Sequence, residues 1–445
     1  MKENKKDIDT KEIKKKEKKE FKLWEKIFIY GNMVIIGIIM GVYIYRGIYY
    51  YKELNTVSSD GRLISQLVSE NNIVYQGDGL YQEGDLYYYK GKNVNNYVYY
   101  SGRVWRIISI SLDKIKMITD ENQSIMVWGY KSNYEESYIN EWLNEDKFIK
   151  SINDDGKMVS ASWCNKSIDN DKYTCDSTVD SSVGLIEVSE YLKAMGKDSY
   201  LNNGTYFWTI NYTDDNKVYY INKEGNVNNI SYSNQDYYSY GVRPVININD
   251  DVKYLSGNGS KNDPYMLDSN GNTIKESSVG NYVRYNNYLW RVMEISDNVK
   301  LVLDDTISDK KMEYSKVDNY LNQDFIKNFD KSSLVKFDYY VGEYNGNTSY
   351  NYQNKGTKKN NYVGGVNIGD LFIADSSNYW LYSIQSSKEK LGYIITEMDT
   401  LYGDLYTSEQ MVKPVICVKG DLVIKEGNGT KNNPLVVGDK IEVGN

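Results

Sequence analysis

The feature that most constrains the fold is an internal duplication. "NYVYYSGRVWRIISI" begins at Asn96 and "NYVRYNNYLWRVMEI" at Asn281, with 7 of 15 positions identical, where chance gives about one. "VRPVININDDVKYLSGNGSKNDPYML" from Val242 and "VKPVICVKGDLVIKEGNGTKNNPLVV" from Val412 agree at 11 of 26 positions. Two shorter blocks, "INEWLNEDKFIK" with "VDNYLNQDFIK" and "VGLIEVSEYL" with "VGGVNIGDLF", recur between them in the same order. This order predicts a duplicated unit of about 170–190 residues, which is too long for a solenoid repeat.

Each copy combines strand patterns with a few short helical patterns. "YVYYSGRVWRII" and "YVRYNNYLWRVM" each consist of two β-rich runs around a two-residue turn of Ser, Gly or Asn, and such turns close hairpins. "VSEYLKAMG" indicates a short helix with Ser189 as its N-cap. The fold class expected is α+β, with two tandem, duplicated, mainly antiparallel β domains. Four tryptophans are predicted to be core residues of the repeats, namely Trp105, Trp208, Trp290 and Trp380.

A long apolar segment precedes the duplicated part. "IFIYGNMVIIGIIMGVYIY" holds nineteen uncharged residues between Lys26 and Arg46. As a helix it would be about 28 Å long, which is close to the thickness of a bilayer core. The Lys-rich flank favours a cytoplasmic N-terminus and extracellular domains. A cleaved signal peptide is the alternative, but the preceding charged region is long and no A-x-A-like site follows.

These observations predict five segments. A cytoplasmic charged tail, 1–26, leads to a single transmembrane helix, 27–46. A stalk, 47–78, then connects to extracellular repeat domain 1, 79–270. Divergent repeat domain 2, 271–445, completes the chain.

Composition limits the chemistry that we expect. The chain has no His, which removes the usual general base and the commonest zinc ligand. Three Cys are too few for a Cys₄ zinc site. We therefore predict no catalytic residue, no metal site and no cofactor. The tail mixes eleven Lys with seven Asp or Glu, so nucleic acid is not expected as a partner.

The cysteines are predicted to have structural roles. Cys164 and Cys175 are separated by ten residues, and outside the membrane such a pair indicates a disulfide. A redox or metal pair is the alternative. Cys417 lies in the apolar run "VICV" and is predicted to be a buried free thiol.

Three residues of the first repeat are candidates for a ligand surface. Tyr237 and Tyr238 in "SNQDYYSYG" are expected to form an exposed aromatic surface. Arg243 precedes a proline in a strand context, as does its counterpart Lys413. The sequence leaves two interpretations of Arg243 open, which are an internal ion pair and a contact to an anionic ligand.

The blocks of the first copy resemble a family of uncharacterised cell-surface proteins from Gram-positive gut bacteria. That family has an opening "NYV-x-[YF]-x-G-x-x-WRII", a "VGLI…EY" helix, "SYLNNGTYFWT", "VYYIN…G" and a closing "YGVRPVINL…GNGT…NPY". The matching segments are Asn96–Ile108, Val183–Tyr191, Ser199–Thr209, Val218–Asn222, Tyr240–Ile248 and Gly257–Tyr265. The second copy is more divergent, and its "GVRP" has become "MVKP".

The resemblance implies a fold but no activity. The "YW…VRPV" ending of the family is similar to that of domains with a C-type-lectin-like or formylglycine-generating-enzyme-like fold. That fold hosts sugar binders, protein binders and enzymes, so it does not set function. No site residues of the family can be transferred to this chain.

Three functional hypotheses follow. The first is a membrane-anchored extracellular binding or adhesion protein whose ligand is a glycan or a surface protein. The second is an envelope structural or assembly factor, because the Gly-rich anchor with Asn32 could pack against another helix. The third is a cell-wall glycan enzyme that uses paired carboxylates. The paired acids are Asp214–Asp215, Asp250–Asp251 and Asp304–Asp305. They lie at apparent turns, which favours the interpretation that they are solvated loop residues and not catalytic pairs.

Overall fold

The structure is a computed structural model of the chain. It describes residues 36–42 and residues 60–438, except residues 70, 71, 112, 130, 146, 169, 170, 214, 232–237, 344–355, 376 and 377. The chain divides into two compact units, residues 1–57 and residues 58–445.

In the first unit only helix α1, residues 36–42, is described, and its side chains are exposed. The predicted tail, residues 1–26, lies outside the described residues. So do residues 27–35 and 43–46 of the predicted transmembrane helix and residues 47–59 of the predicted stalk. Within the described ranges, no helix combines the length and the apolar composition needed to cross a membrane.

The second unit contains short helices and thirty strands among the residues that the structure describes. The α-helices are α2 (Leu63–Leu67), α3 (Tyr138–Asn144), α4 (Lys147–Lys150), α5 (Val188–Lys193) and α6 (Tyr314–Gln323), and 3₁₀ turns cover Gly196–Asp198, Ile274–Glu276, Phe325–Asn328 and Ile373–Asp375. The strands of the first half are β1 (Gly79–Glu83), β2 (Leu86–Lys90), β3 (Tyr97–Tyr100), β4 (Arg103–Ile110), β5 (Lys114–Thr119), β6 (Ser124–Met126), β7 (Met158–Val159), β8 (Ala161–Ile168), β9 (Asp171–Ser181), β10 (Val183–Gly184), β11 (Phe207–Tyr212), β12 (Lys217–Ile221), β13 (Val227–Ser231), β14 (Tyr240–Val242), β15 (Val245–Asn249) and β16 (Tyr265–Met266). Those of the second half are β17 (Tyr282–Tyr285), β18 (Tyr288–Ile295), β19 (Asn298–Leu303), β20 (Met312–Glu313), β21 (Phe337–Glu343), β22 (Thr357–Asn361), β23 (Val363–Gly365), β24 (Tyr379–Ser386), β25 (Leu391–Ile395), β26 (Leu401–Leu405), β27 (Glu409–Val412), β28 (Pro414–Lys419), β29 (Val423–Glu426) and β30 (Leu435–Gly438). The predicted α+β class, rich in antiparallel and mixed sheet, is confirmed.

The first sheet of each half has the same strand order. In the first half β16, β3, β4, β5, β15 and β10 lie side by side, and β1 and β2 extend the sheet beyond β4. In the second half β30, β17, β18, β19, β28 and β23 follow the same order. The parallel contact of β16 with β3 also has its counterpart, β30 with β17. The sequence blocks that recur therefore form the same central strands in both halves.

The second sheet of each half is also matched. The order β13, β12, β11, β14, β6 corresponds to β26, β25, β24, β27, β20. Strands β8 and β21 each pair in parallel with the middle strand of their sheet, β11 and β24. One antiparallel hairpin, β8 with β9 or β21 with β22, extends each sheet at that side.

The opening hairpin of each repeat closes through two residues with positive φ. Ser101 and Gly102 have φ of 48° and 70°, and Asn286 and Asn287 have φ of 51° and 65°. Two successive left-handed residues match the right-handed twist of the flanking strands. Each hairpin then buries a tryptophan, whose indole Nε1 donates to a backbone carbonyl of the preceding strand at 2.9 Å in the first copy and 3.0 Å in the second.

One carboxylate beside the first turn should make stability depend on pH. The Asp268 side chain accepts from Ser101 N and lies 3.9 Å from Lys157 Nζ. Burial raises the pKa of Asp268 to about 6, with nearby Asp155 acting in the same direction. The folded chain therefore binds this proton more tightly than the unfolded chain, so stability is lost as the pH rises from about 4 to about 6.

The comparison of wild type with Asp268→Asn isolates this effect. Between about pH 4 and pH 7, we expect the free energy of unfolding of the wild type to fall by about 2 kcal/mol relative to the variant. Urea unfolding at a series of pH values measures it. A difference between the two proteins that stays constant with pH would contradict the assignment.

The two repeats share one buried core. Apolar side chains from both halves belong to a single cluster of buried residues. Polar contacts also cross the boundary: Trp142 Nε1 donates to Gly369 O at 2.7 Å, and Tyr99 OH donates to Gly429 O at 2.6 Å. Residues 58–445 are thus one compact unit in which the repeats pack directly against each other.

The cysteines and tryptophans occupy structural positions. Cys164 and Cys175 form the predicted disulfide, which is confirmed and joins β8 to β9. Cys417 is a buried free thiol, and burial raises its pKa to about 11. The four tryptophans singled out in the sequence are at most 2% exposed, and they are Trp105, Trp208, Trp290 and Trp380.

Candidate functional site

A polar cleft lies between the two repeats. It consists of two adjoining cavities of about 240 Å³ and about 500 Å³. Both cavities are lined by Tyr97, Asp120, Glu121, Lys261 and Lys431. These five residues come from both halves of the chain, so the site exists only because the repeats are packed together. We call this site the inter-repeat cleft.

The cleft contains both copies of one local arrangement. Tyr97 and Tyr282 are equivalent in the duplication, and so are Lys261 and Lys431. The lysines lie in the loops "GNGSKNDP" and "GNGTKNNP", in which each glycine has a positive φ between 76° and 99°. The second glycine of each loop accepts from the tyrosine backbone N–H, at 2.9 Å for Tyr97 and 2.8 Å for Tyr282. Each loop therefore places its lysine close to the tyrosine of the same repeat.

A buried guanidinium lies against each tyrosine ring. The Arg106 guanidinium is 3.7 Å from the centre of the Tyr97 ring, and that of Arg291 is 4.3 Å from the centre of the Tyr282 ring. Arginine stacks well on an aromatic face because its guanidinium is planar and weakly hydrated. These contacts hold the tyrosines in place at the cleft wall.

The same arginines compensate two acids of the cleft. Arg106 Nη1 is 3.2 Å from Asp120 Oδ1, and Arg291 Nη1 is 3.4 Å from Glu121 Oε2. Lys431 Nζ is 3.2 Å from Asp304 Oδ2. Opposite charges at these distances neutralise each other where solvent is partly excluded.

One end of the cleft holds amide groups. Asn122 is 1% exposed, and its Nδ2 donates to Asp399 Oδ2 at 2.7 Å and to Thr205 Oγ1 at 2.9 Å. Its Oδ1 has no hydrogen-bond partner among the described residues. The other amide side chains that line the cleft are Gln123, Asn202, Asn203, Asn262, Asn428 and Asn432.

The residues that were predicted to form a ligand surface are not brought together here. Tyr237 lies outside the described residues. Tyr238 is 37% exposed, lies 6.1 Å from the Tyr240 ring between centres, and lines neither cavity of the cleft.

The structure places Arg243 in the interior, away from any exposed ligand surface. This side chain is fully buried; its Nε donates to Thr119 O at 3.0 Å and its Nη1 to Leu201 O at 2.5 Å. Burial lowers its pKa to about 10. Among the described residues, the hydrogen-bond acceptors of its Nε and Nη1 are backbone carbonyls. Lys413 likewise donates to a carbonyl, Asp304 O, at 2.9 Å.

Among the described residues, none of the paired acids of the sequence lines the inter-repeat cleft. Asp214 lies outside the described residues, and Asp215 is exposed beside Lys217. Asp250 is a half-buried turn residue whose Oδ2 lies 3.8 Å from Arg62 Nη1, and Asp304 is the neighbour of Lys431 already described. In the described part of the chain, no group of three acidic or cysteine side chains is arranged to hold a metal ion.

Sequence reasoning missed the tyrosines, arginines and lysines of the cleft. Their signal was present, because Tyr97 with Tyr282, Arg106 with Arg291 and Lys261 with Lys431 are pairs of identical residues at equivalent places in the two copies. Identity between copies does not say whether a residue packs or binds, so the signal did not identify a site.

The cleft has the properties of a binding site for a small polar ligand. It is concave, it carries a few aromatic faces, and its polar groups converge from several elements. Such a site can hold a ligand by hydrogen bonds while ring faces cover its apolar parts. Comparison of the chain with protein-family models, with curated proteins and with solved structures gives no match.

Proposed function

We propose that residues 58–445 form a carbohydrate-binding module and that the ligand occupies the inter-repeat cleft. The observation that carries this proposal is the convergence of both copies of the tyrosine–lysine arrangement in one concave site. If the duplicated residues only packed in the core of each repeat, we would not expect both copies to line the same cleft.

The chemistry of the cleft favours a ligand with many hydroxyl groups. Sugars present apolar ring faces, which stack on tyrosine, and hydroxyls, which pair with amides, carboxylates and lysines. The described residues that line the cleft include four cationic and five anionic side chains. Because this balance is within one charge of neutrality, a ligand without a large net charge fits better than a polyanion.

The module belongs outside the membrane in this proposal. The apolar segment 27–46 would anchor the chain with its N-terminus in the cytoplasm, as the Lys-rich flank favours. The disulfide supports an extracellular location, because disulfides persist mainly in oxidising compartments. The whole chain would then be a membrane-anchored binding or adhesion protein, in line with its resemblance to cell-surface proteins of Gram-positive bacteria.

A glycan array probed with the full chain in detergent tests this function and supplies the ligand for a mutational test. Tyr97→Ala should weaken binding of the selected glycan about tenfold, which is about 1.4 kcal/mol, because a stacking face is lost. Tyr97→Phe should keep most of the affinity. Tyr282→Ala removes an equivalent ring that is only 4% exposed, so it should lower the unfolding midpoint as well as the affinity. Isothermal titration measures each affinity.

The matched control is Tyr402→Ala, which removes a tyrosine that is 61% exposed and does not line the cleft. This variant should bind like the wild type, and its unfolding midpoint gives the reference for the cleft variants. If no glycan on the array binds and crosslinking on whole cells captures a protein, the ligand is a protein and not a carbohydrate. Equal losses in Tyr97→Ala and Tyr402→Ala would remove the cleft from the proposal.

A further inference from the structure

A lysine and an asparagine lie side by side in the first sheet, apart from the inter-repeat cleft. Lys116 of β5 is directly opposite Asn247 of β15 in the antiparallel register, and neither residue lines the cleft. Three positions along the same pair of strands, Thr119 N donates to Pro244 O at 3.1 Å. Hydrogen-bonded pairs alternate with pairs that have no backbone hydrogen bond, so residues 116 and 247 form a pair of the second kind. The side chains of such a pair leave the same face of the sheet, with Cα atoms about 4.5 Å apart.

The Asn247 amide is buried without a hydrogen-bond partner. This residue is 1% exposed, and neither its Oδ1 nor its Nδ2 has a partner among the described residues. Buried polar side chains are normally hydrogen-bonded, because an unsatisfied group loses its hydration without compensation. A reaction that removes the Nδ2 group would relieve part of this cost. The unpaired carboxamide beside a lysine amine therefore needs an explanation other than packing.

Two carboxylates hold the lysine in place. Lys116 Nζ lies 2.5 Å from Glu190 Oε1 and 3.2 Å from Glu187 Oε1, and both acids belong to the start of helix α5. The centre of the buried Trp163 ring is 4.8 Å from the same Nζ. Burial raises the pKa of Glu190, and the neighbouring Glu187 acts in the same direction. Glu190 is thus both close enough and basic enough to accept a proton from the lysine.

We propose that Lys116 and Asn247 condense into an intramolecular isopeptide bond. Nζ passes a proton to Glu190 and attacks Cγ of Asn247 as a neutral amine. The Nζ–Cγ bond forms, the Cγ–Nδ2 bond breaks, and Glu190 returns its proton to the leaving nitrogen. That nitrogen departs as ammonium, which carries the two protons that Nζ has lost, and Nζ keeps one hydrogen. The step exchanges no electrons and needs no co-reactant.

The resting lysine is a cation, which makes the reaction slow but does not prevent it. Burial lowers the pKa of Lys116, but Glu190 and Glu187 together raise it above its ordinary value. The reaction occurs once per chain, so a small population of neutral amine is sufficient. Ammonium is lost to a large volume of solvent, so the product accumulates.

The second repeat lacks the carboxamide at the equivalent position. Lys300 of β19 is directly opposite Cys417 of β28, and its Nζ lies 2.9 Å from Glu294 Oε2. A lysine and an acid are therefore present in both repeats, but a thiol replaces the amide in the second. We expect the bond in the first repeat alone, which gives the chain an internal control.

The bond would join two neighbouring central strands of the first sheet. It would keep β5 and β15 together even after reduction of the disulfide, which joins β8 to β9 in the other sheet. Such a crosslink suits a protein that must keep its fold outside the cell. The inference does not rest on carbohydrate binding, because no residue of the cleft takes part.

Mass spectrometry of the full chain, denatured after purification in detergent, tests the proposal. The mass should be lower than that of the sequence with one disulfide by one ammonia molecule. Digestion should give a branched peptide that joins the segments containing Lys116 and Asn247. Lys116→Arg, which keeps a cation beside the glutamates, and Asn247→Ala should each have their full mass. Glu190→Gln should be obtained mostly without the bond, since general acid–base catalysis contributes about a hundredfold or more.

The matched control is Lys300→Arg, which should lack one ammonia molecule as the wild type does. A wild-type chain with its full mass would overturn the proposal, and this result does not depend on whether any variant folds. So would a deficit that persists in Lys116→Arg, or one that maps to an Asn–Gly pair such as Asn203–Gly204, where attack by the backbone also releases ammonia. A bond formed equally well in Glu190→Gln would contradict the role of Glu190.

Discussion

Phe372→Ala should destabilise residues 58–445 by about 3–5 kcal/mol, because a fully buried aromatic ring is replaced by a cavity. Phe372 has no exposed surface. Its ring centre is 5.3 Å from the Arg103 guanidinium of the first repeat and 4.2 Å from that of Arg291 in the second. The substitution therefore removes apolar packing and two desolvated cation–π contacts at the boundary between the repeats.

Relief of backbone strain at residue 372 does not offset the expected loss of stability. Phe372 has a φ of 63°, and alanine tolerates the left-handed region no better than phenylalanine does. Its backbone N–H also donates to Gln123 O of the first repeat at 2.8 Å, so the position is fixed by contacts from both sides. Because the two repeats share this residue, we expect both to lose stability together.

Guanidinium unfolding followed by tryptophan fluorescence measures the effect. The wild type and the variant should each unfold in one transition, with a much lower midpoint in the variant. Phe372→Leu should lose less, since part of the cavity is filled. Tyr402→Ala, at an exposed site, should stay within about 0.5 kcal/mol of the wild type. Two separate transitions in the wild type, or a midpoint unchanged by Phe372→Ala, would contradict the shared core.

Removal of the disulfide should cost about 3 kcal/mol, because a closed loop of this length limits the unfolded chain. Cys164 and Cys175 are 11 positions apart and join two neighbouring strands of an extended hairpin. The double variant Cys164→Ser, Cys175→Ser should therefore have a lower unfolding midpoint than the wild type. Reductant should lower the wild-type midpoint to the same level and should leave the variant unchanged.

The third cysteine provides the control for this experiment. Cys417 is a buried free thiol, so Cys417→Ala keeps the disulfide and should remain sensitive to reductant. Its own cost should be limited to the packing of one small side chain. A wild-type midpoint that does not respond to reductant under conditions that break the bond would show that the disulfide does not stabilise the fold.

Sequence patterns predicted the local features well. The hairpins could be recognised because Ser, Gly and Asn tolerate the positive φ that a two-residue turn requires. The tryptophans could be placed in the core because large apolar side chains in alternating strand patterns are rarely exposed. Helix boundaries were less accurate: α5 begins at Val188, and Glu190 Oε2 accepts from Glu187 N at 3.2 Å, so the predicted N-cap Ser189 lies inside the helix.

Arg243 shows why the surroundings of a single side chain are hard to predict. Its position before a proline in a strand context indicated an internal ion pair or a contact with an anionic ligand. The fold instead supplies the carbonyls of Thr119 and Leu201 as acceptors, and these come from distant parts of the chain. Carbonyl acceptors are present at every residue, so no sequence pattern marks those that a buried guanidinium will meet.

The duplication, the strand-rich α+β class, the two-residue turns and the cysteine pair all follow from residues that are neighbours or equivalents along the chain. The inter-repeat cleft does not, because it arises where surfaces of the two repeats face each other. Tyr99 bonding to Gly429, or Phe372 lying between two arginines, depends on how one folded repeat docks on the other. Docking is set by the summed shape and burial of many side chains across a long sequence separation, and short-range patterns carry little of that information.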